Sequence, residues 1–174
     1  MAVALVLACC LAPLAALAIE PLTEAAVKAD YLYKFLGFVE WPADAHAGPD
    51  APHVVAVLRA DEVATALEQR VAARHAAPGS RPVVVRRVTA QDALYGVHLL
   101  HLGRGARPTD AALLRAMPML VVTDAPTGMP DYAAVNFVSV DRRVRFEASP
   151  AAAERAGLKL SARLLAVTAR VINP

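Results

Sequence analysis

The feature that most constrains the fold is the alternation of short apolar runs with amphipathic helical segments between residues 53 and 123. His53 to Leu58 is an apolar run of strand length. Asp61 then caps about three helical turns through Ala64, Leu67 and Val71, and Pro78-Gly79-Ser80 breaks them. Pro82 to Val88 is a β-branched second strand, and a short turn or helix from Thr89 leads to a third, Val97 to Leu102, which Gly103 and Gly105 end. Thr109 reads as the cap of a helix over Ala111 to Ala116, and Met119 to Thr123 as the fourth strand. Strands separated by crossovers lie parallel, with the helices on the sheet faces. Two more strands, Ala134 to Val140 and Arg143 to Ala148, flank only Asp141-Arg142, which is hairpin length. The expected architecture is a single three-layer α/β domain: a mostly parallel sheet, helices on both faces, and an antiparallel C-terminal hairpin at the edge.

Helices close both ends of this pattern. Thr23 is a plausible N-cap, and Ala25, Ala29, Leu32, Leu36 and Val39 recur at helical spacing up to the stop before Pro42. Residues 43–52, rich in Pro, Gly, Ala and Asp, read as a surface loop. Ser149-Pro150 is a helix start, because serine caps the free amides while proline sits where no amide bond is needed. That helix ends near Gly157. A last helix is expected from Leu160 to Val171, with Leu160, Leu164, Val167 and Val171 on one stripe and Lys159, Arg163 and Arg170 on another.

The N-terminus is the one continuously apolar stretch. From Met1 to Ala18 the chain carries no charge and closes on Ala16-Leu17-Ala18, the small-x-small pattern of a signal-peptide cut. The expectation is a signal peptide over 1–18 and one exported domain over 19–174. The run is shorter than the ~20 apolar residues a spanning helix needs. Val6-Leu7-Ala8-Cys9 faintly resembles a lipoprotein processing site, which keeps a lipid anchor open. Cys9 and Cys10 both lie in this segment, so the domain has no thiol for a disulfide or a cysteine-ligated metal. With 18 basic against 16 acidic residues, the chain lacks the electrostatic footprint of a nucleic-acid binder.

No catalytic signature stands out. His98 and His101, three apart on a strand, point to opposite faces and cannot share a metal there, and no metal or cofactor is expected. Residues 103–108 follow a strand and precede a helix, loosely like a phosphate-binding loop. Pro108 breaks that pattern, leaving Arg104 and Arg107 as a weak anion or ligand site. No serine sits in a nucleophile elbow, and the carboxylates are scattered. Two features remain: Trp41, the only tryptophan, at a helix-to-loop junction, and the charged trio Arg143, Arg145 and Glu147, with Arg145 and Glu147 on one face of a strand. Each reads either as structural or as part of a recognition surface.

Two stretches together resemble the YfiR-like family of small periplasmic proteins. One is AVKADYLYKF over residues 26–35, continuing to Phe38-Val39-Glu40-Trp41-Pro42. The other is Val144-Arg145-Phe146-Glu147, then Ala151-Ala152, then AGLKLSARLL over residues 156–165 and Ala169-Arg170-Val171. Between them, Val97 to Leu100 and Leu120 to Asp124 fall where the family's central strands would be. The resemblance implies a regulator, not an enzyme, that binds the periplasmic part of an inner-membrane diguanylate cyclase and holds it inactive, keeping cyclic di-GMP and biofilm formation low. It further implies sequestration by an outer-membrane lipoprotein and self-association as a homodimer. Characteristic family cysteines are absent, Val97 standing where one is expected, so disulfide redox sensing is not carried over.

Trp41, Arg145, Glu147 and Arg163 are the candidate partner-binding residues. The alternative within the fold is an ion pair of Arg145 or Arg163 with Glu147. A different class of function, a sensor for a small envelope ligand, would place its site in the strand-end loops at residues 103–108. An unrecognised hydrolase is the third reading.

Overall fold

The computed structural model describes residues 22–74, 81–108 and 110–172. The expected signal segment with Cys9 and Cys10, the break at 78–80 and Thr109 lie outside the described residues. The elements run α1 (Glu24–Phe35), β1 (Val39–Glu40), β2 (His53–Leu58), α2 (Asp61–Ala73), β3 (Val83–Val88), β4 (Leu99–Leu102), α3 (Ala111–Ala116), β5 (Leu120–Thr123), β6 (Val135–Val140), β7 (Arg143–Ala148), α4 (Pro150–Arg155), β8 (Lys159–Leu160), α5 (Ala162–Leu165) and β9 (Arg170–Val171). Seven strands form the main sheet in the order β3-β2-β4-β5-β6-β7-β9, and β1 pairs antiparallel with β8 in a small second one. β3, β2, β4, β5 and β6 are mutually parallel, and β6 and β7 form the antiparallel hairpin. The mixed α/β architecture read from the sequence is the one observed.

The central strands β4 and β5 are buried along their whole length, as strands covered on both faces must be. Alternate residues feed two cores. On one face Val55, Val57, Leu99, Leu120 and Val122 meet Leu32 and Phe35 of α1 and Leu67 of α2; on the other Ala56, Leu58, Leu100, Leu102 and Val121 meet Leu114 and Met119. Helix α1 turns Lys28, Ala29, Leu32 and Phe35 inward, one stripe at helical spacing, and Thr23 caps it by accepting from the Ala26 amide. Its Tyr31 and Phe35 join Phe137 and Phe146 in an aromatic cluster, the Phe35 and Phe146 rings edge to face at 5.0 Å. Ser149 caps α4 with Pro150 in its first turn, as the sequence predicts.

Three expectations are corrected. The long last helix does not form: Leu160 belongs to β8, Ser161 caps a single-turn α5, and β9 adds in parallel to β7, so Val167 and Val171 are exposed. The free edge of β7 wins because it supplies backbone partners, Ala169 N–H to Phe146 O at 2.8 Å and Ile172 N–H to Ala148 O at 2.7 Å. Helix α3 is capped by Asp110, whose carboxylate accepts from the Ala112 and Leu113 amides. Asp61 is the first residue of α2 rather than its cap; Ala60 occupies that position without a side-chain bond.

Candidate functional site: a basic groove beside the hairpin

The first half of α1 lies against the C-terminal end of β5, and a buried cation joins them. Lys28 is 5% exposed, with Nζ 2.6 Å from both Asp124 Oδ2 and Glu24 Oε1 and 5.8 Å from the centre of the Phe137 ring. Burying an ammonium is tolerable only where carboxylates surround it. A lysine on the apolar stripe of α1 is the signal in the sequence for such a pair.

In front of this pair opens a groove of about 560 Å³. Tyr31, Phe137 and Val144 give it an apolar floor, and Arg104, Arg142, Arg143 and Arg145 line its rim. All four arginines are exposed, and among the described residues none forms an ion pair. Three come from the hairpin, whose Asp141 and Arg142 both hold positive φ, 50° and 59°. That is the conformation a two-residue turn needs to match the strand twist, usually supplied by Asn-Gly. Exposed guanidinium groups that form no ion pair among the described residues, set around an aromatic floor, suit an acidic protein surface, where planar bidentate bonds to carboxylates are available.

The residues singled out from the sequence do not share one surface. Arg145 lines the groove, and so does Arg104. Glu147 is buried and pairs with Arg170, its register partner on β9, so neither Arg145 nor Arg163 takes it. Arg163 is exposed on α5. Arg107 lines a separate cavity of about 620 Å³ with Arg59, Asp61 and Arg87, where Arg87 is already tied to Glu68 and Thr65. Beyond the last β2–β4 pair the two following loops pack backbone to backbone: a Cβ on Gly103 would lie 2.2 Å from the Arg59 carbonyl oxygen. Sequence pattern alone does not single out Arg142, which reads there as half of the hairpin turn, and shows Arg143 only as the first of the charged trio on the following strand.

Trp41 occupies a different region. Its Nε1–H donates to Leu36 O at 3.2 Å, and its ring meets three imidazoles, His53 at 5.5 Å, His98 at 5.8 Å and His46 at 6.4 Å. His98 thus faces the 43–52 loop, where its Nε2 meets Ala45 O at 3.0 Å, while His101 packs on Phe137 across the sheet. Burial holds all three clustered imidazoles below the usual histidine range. His53 is lowered to about 4, with His46, His98 and Arg81 adding positive charge nearby. The cluster is invisible to spacing, because its members come from the 43–52 loop, the start of β2 and the residue just before β4.

Among the described residues no helix is long and apolar enough to cross a membrane. No curated protein matches the chain. Residues 25–169 match the model of a family described as YfiR/HmsC-like.

Proposed function

The chain belongs to the YfiR/HmsC-like family, whose members are periplasmic regulators of diguanylate cyclase signalling and not catalysts, and from that premise we propose that it represses one such cyclase by direct binding. In this reading the protein is exported through a leader over residues 1–18, docks on the periplasmic domain of an inner-membrane diguanylate cyclase, and lowers cyclic di-GMP output. An outer-membrane lipoprotein that competes for it would relieve the repression, and a homodimer is the expected assembly. The observation that carries the reading is the exposed rim of Arg104, Arg142, Arg143 and Arg145, none in an ion pair among the described residues, around the apolar floor of Tyr31 and Phe137, while the groove's own acids, Glu24 and Asp124, are paired with Lys28. Repression requires that the groove bind the inactive arrangement of the cyclase more tightly than the active one, since a ligand shifts an equilibrium only by its differential affinity.

The test is capture of host cyclase periplasmic domains by the purified protein, repeated with Arg142→Glu/Arg145→Glu and with Trp41→Ala. Specific capture lost on charge reversal, with both variants folded, supports the groove. Capture lost only with Trp41→Ala moves the surface to the tryptophan region. No capture by any candidate overturns direct repression and favours a small-ligand sensor at the Arg107 cavity.

A further inference from the structure

We propose that His46, His53 and His98 form a site for a divalent transition-metal ion that prefers nitrogen ligands, zinc or copper, with His46 and His53 as the primary pair. The three imidazoles reach one point from three separate segments, and each offers a ligand nitrogen within 4.8 Å of the others. Two nitrogens bound to one tetrahedral ion at ~2.0–2.1 Å lie roughly 3.3 Å apart. His46 Nε2 and His53 Nδ1, at 3.1 Å, already stand at that separation. The His46 ring stacks on His98 at 4.2 Å and meets His53 edge-on at 4.7 Å, so modest side-chain rotations bring the third nitrogen in.

The donor set selects the ion. Three imidazoles with no carboxylate or thiol suit copper and zinc and disfavour magnesium and calcium, which take oxygen. Three protein ligands leave a fourth position for water or an external donor. The cost falls unequally on the three. His46 and His53 give up only their bond to each other. His98 accepts from the Val54 amide at Nδ1, 3.0 Å, so Nε2 carries the proton it gives to Ala45 O. To ligate through Nε2 it exchanges tautomers and loses both bonds, which makes it the third ligand and not the first. Arg81 opposes a cation nearby, but its guanidinium is held on the carbonyls of Gly48 and Ala51 and keeps the His46 loop in place.

Trp41, the only tryptophan, is the built-in reporter, with its ring within 6.4 Å of all three imidazole centres. The untagged, chelator-treated protein is titrated with copper sulfate while Trp41 fluorescence is followed, then with zinc sulfate in competition and by thermal shift. The expected result is quenching that saturates at one copper per chain and is reversed only by zinc in large excess, since copper binds imidazole sites more tightly than zinc, with zinc alone raising the melting temperature. His46→Gln and His53→Gln each weaken binding at least about tenfold, and His98→Gln weakens it less. His46 is on a loop and only partly buried, so His46→Gln decides the question even if His98→Gln does not fold. Absence of saturable binding of either ion, or unchanged affinity in His46→Gln, overturns the site.

Discussion

Lys28 of α1 and Asp124 at the end of β5 are 96 residues apart in sequence and 2.6 Å apart in space, both with side chains largely withdrawn from water. The pair fastens the first helix to the middle of the sheet and forms the back wall of the groove. Removing one member strands the other, which costs more than the pair contributes. Lys28→Met should therefore destabilise by about 3 kcal/mol, and adding Asp124→Leu should recover most of that loss. Urea unfolding of the single and double variants measures it; equal losses in both would show that Asp124 is well solvated without its partner.

Glu147 and Arg170 separate a structural from a recognition role for the β7 carboxylate. The glutamate side chain is 9% exposed and the arginine 66%, so the bond is screened on one side only. Arg170→Ala should lower stability by about 1 kcal/mol by loosening β9 from β7, with capture of the cyclase domain unchanged when both are measured well below the melting transition. Arg145→Glu should do the reverse, leaving the melting temperature in place and abolishing capture. Loss of capture in Arg170→Ala at full folding would return Glu147 and β9 to the binding surface.

Much of this fold was legible because β2, β4 and β5 are short apolar runs bounded by breakers, and because Ser149-Pro150 can only start a helix. The last segment was not. Leu160, Leu164, Val167 and Val171 do recur at 3.6-residue spacing, but periodicity carries no information about an open strand edge elsewhere in the sheet. The same blindness hid the Glu147 partner: alternation correctly placed Arg145 and Glu147 on one face of β7, yet β9 covers only the second. Arg104 and Arg145 were visible as residues, not as neighbours, since the groove that joins them is made by α1 crossing the strand ends.

The hairpin turn holds strain where it carries charge. Asp141 and Arg142 sit in the left-handed region at φ 50° and 59°, each costing about 1 kcal/mol relative to glycine. Arg142→Gly should accordingly raise stability by about 1 kcal/mol while weakening cyclase capture, a gain in folding set against a loss of binding. Melting curves and capture on the same preparation check both halves. A variant that is stabilised and captures as well as the parent would remove Arg142 from the interface.

His101 makes the domain sensitive to mild acid. Its ring is 0% exposed, neither ring nitrogen makes a well-formed hydrogen bond among the described residues, the Val122 carbonyl giving only a weak contact, and it packs edge-on against Phe137 at 5.7 Å. Burial lowers its pKa to about 4; Asp124 and the Val122 carbonyl pull the other way, and Lys28 reinforces the shift. The unfolded chain, titrating near 6.5, thus binds a proton that the folded chain refuses, so the stability from neutral His101 is complete above about pH 6.5 and is lost as the pH falls toward 4. Over that window the loss amounts to about 3 kcal/mol. His53 shifts in the same direction, so the whole protein loses more than this. The difference between the parent and His101→Leu isolates the one residue, because the other histidines are common to both. Urea unfolding at pH 7.5, 6 and 5 should show the variant gaining on the parent as acid increases. Parallel curves would mean that His101 takes up its proton in the folded state as readily as in the unfolded chain.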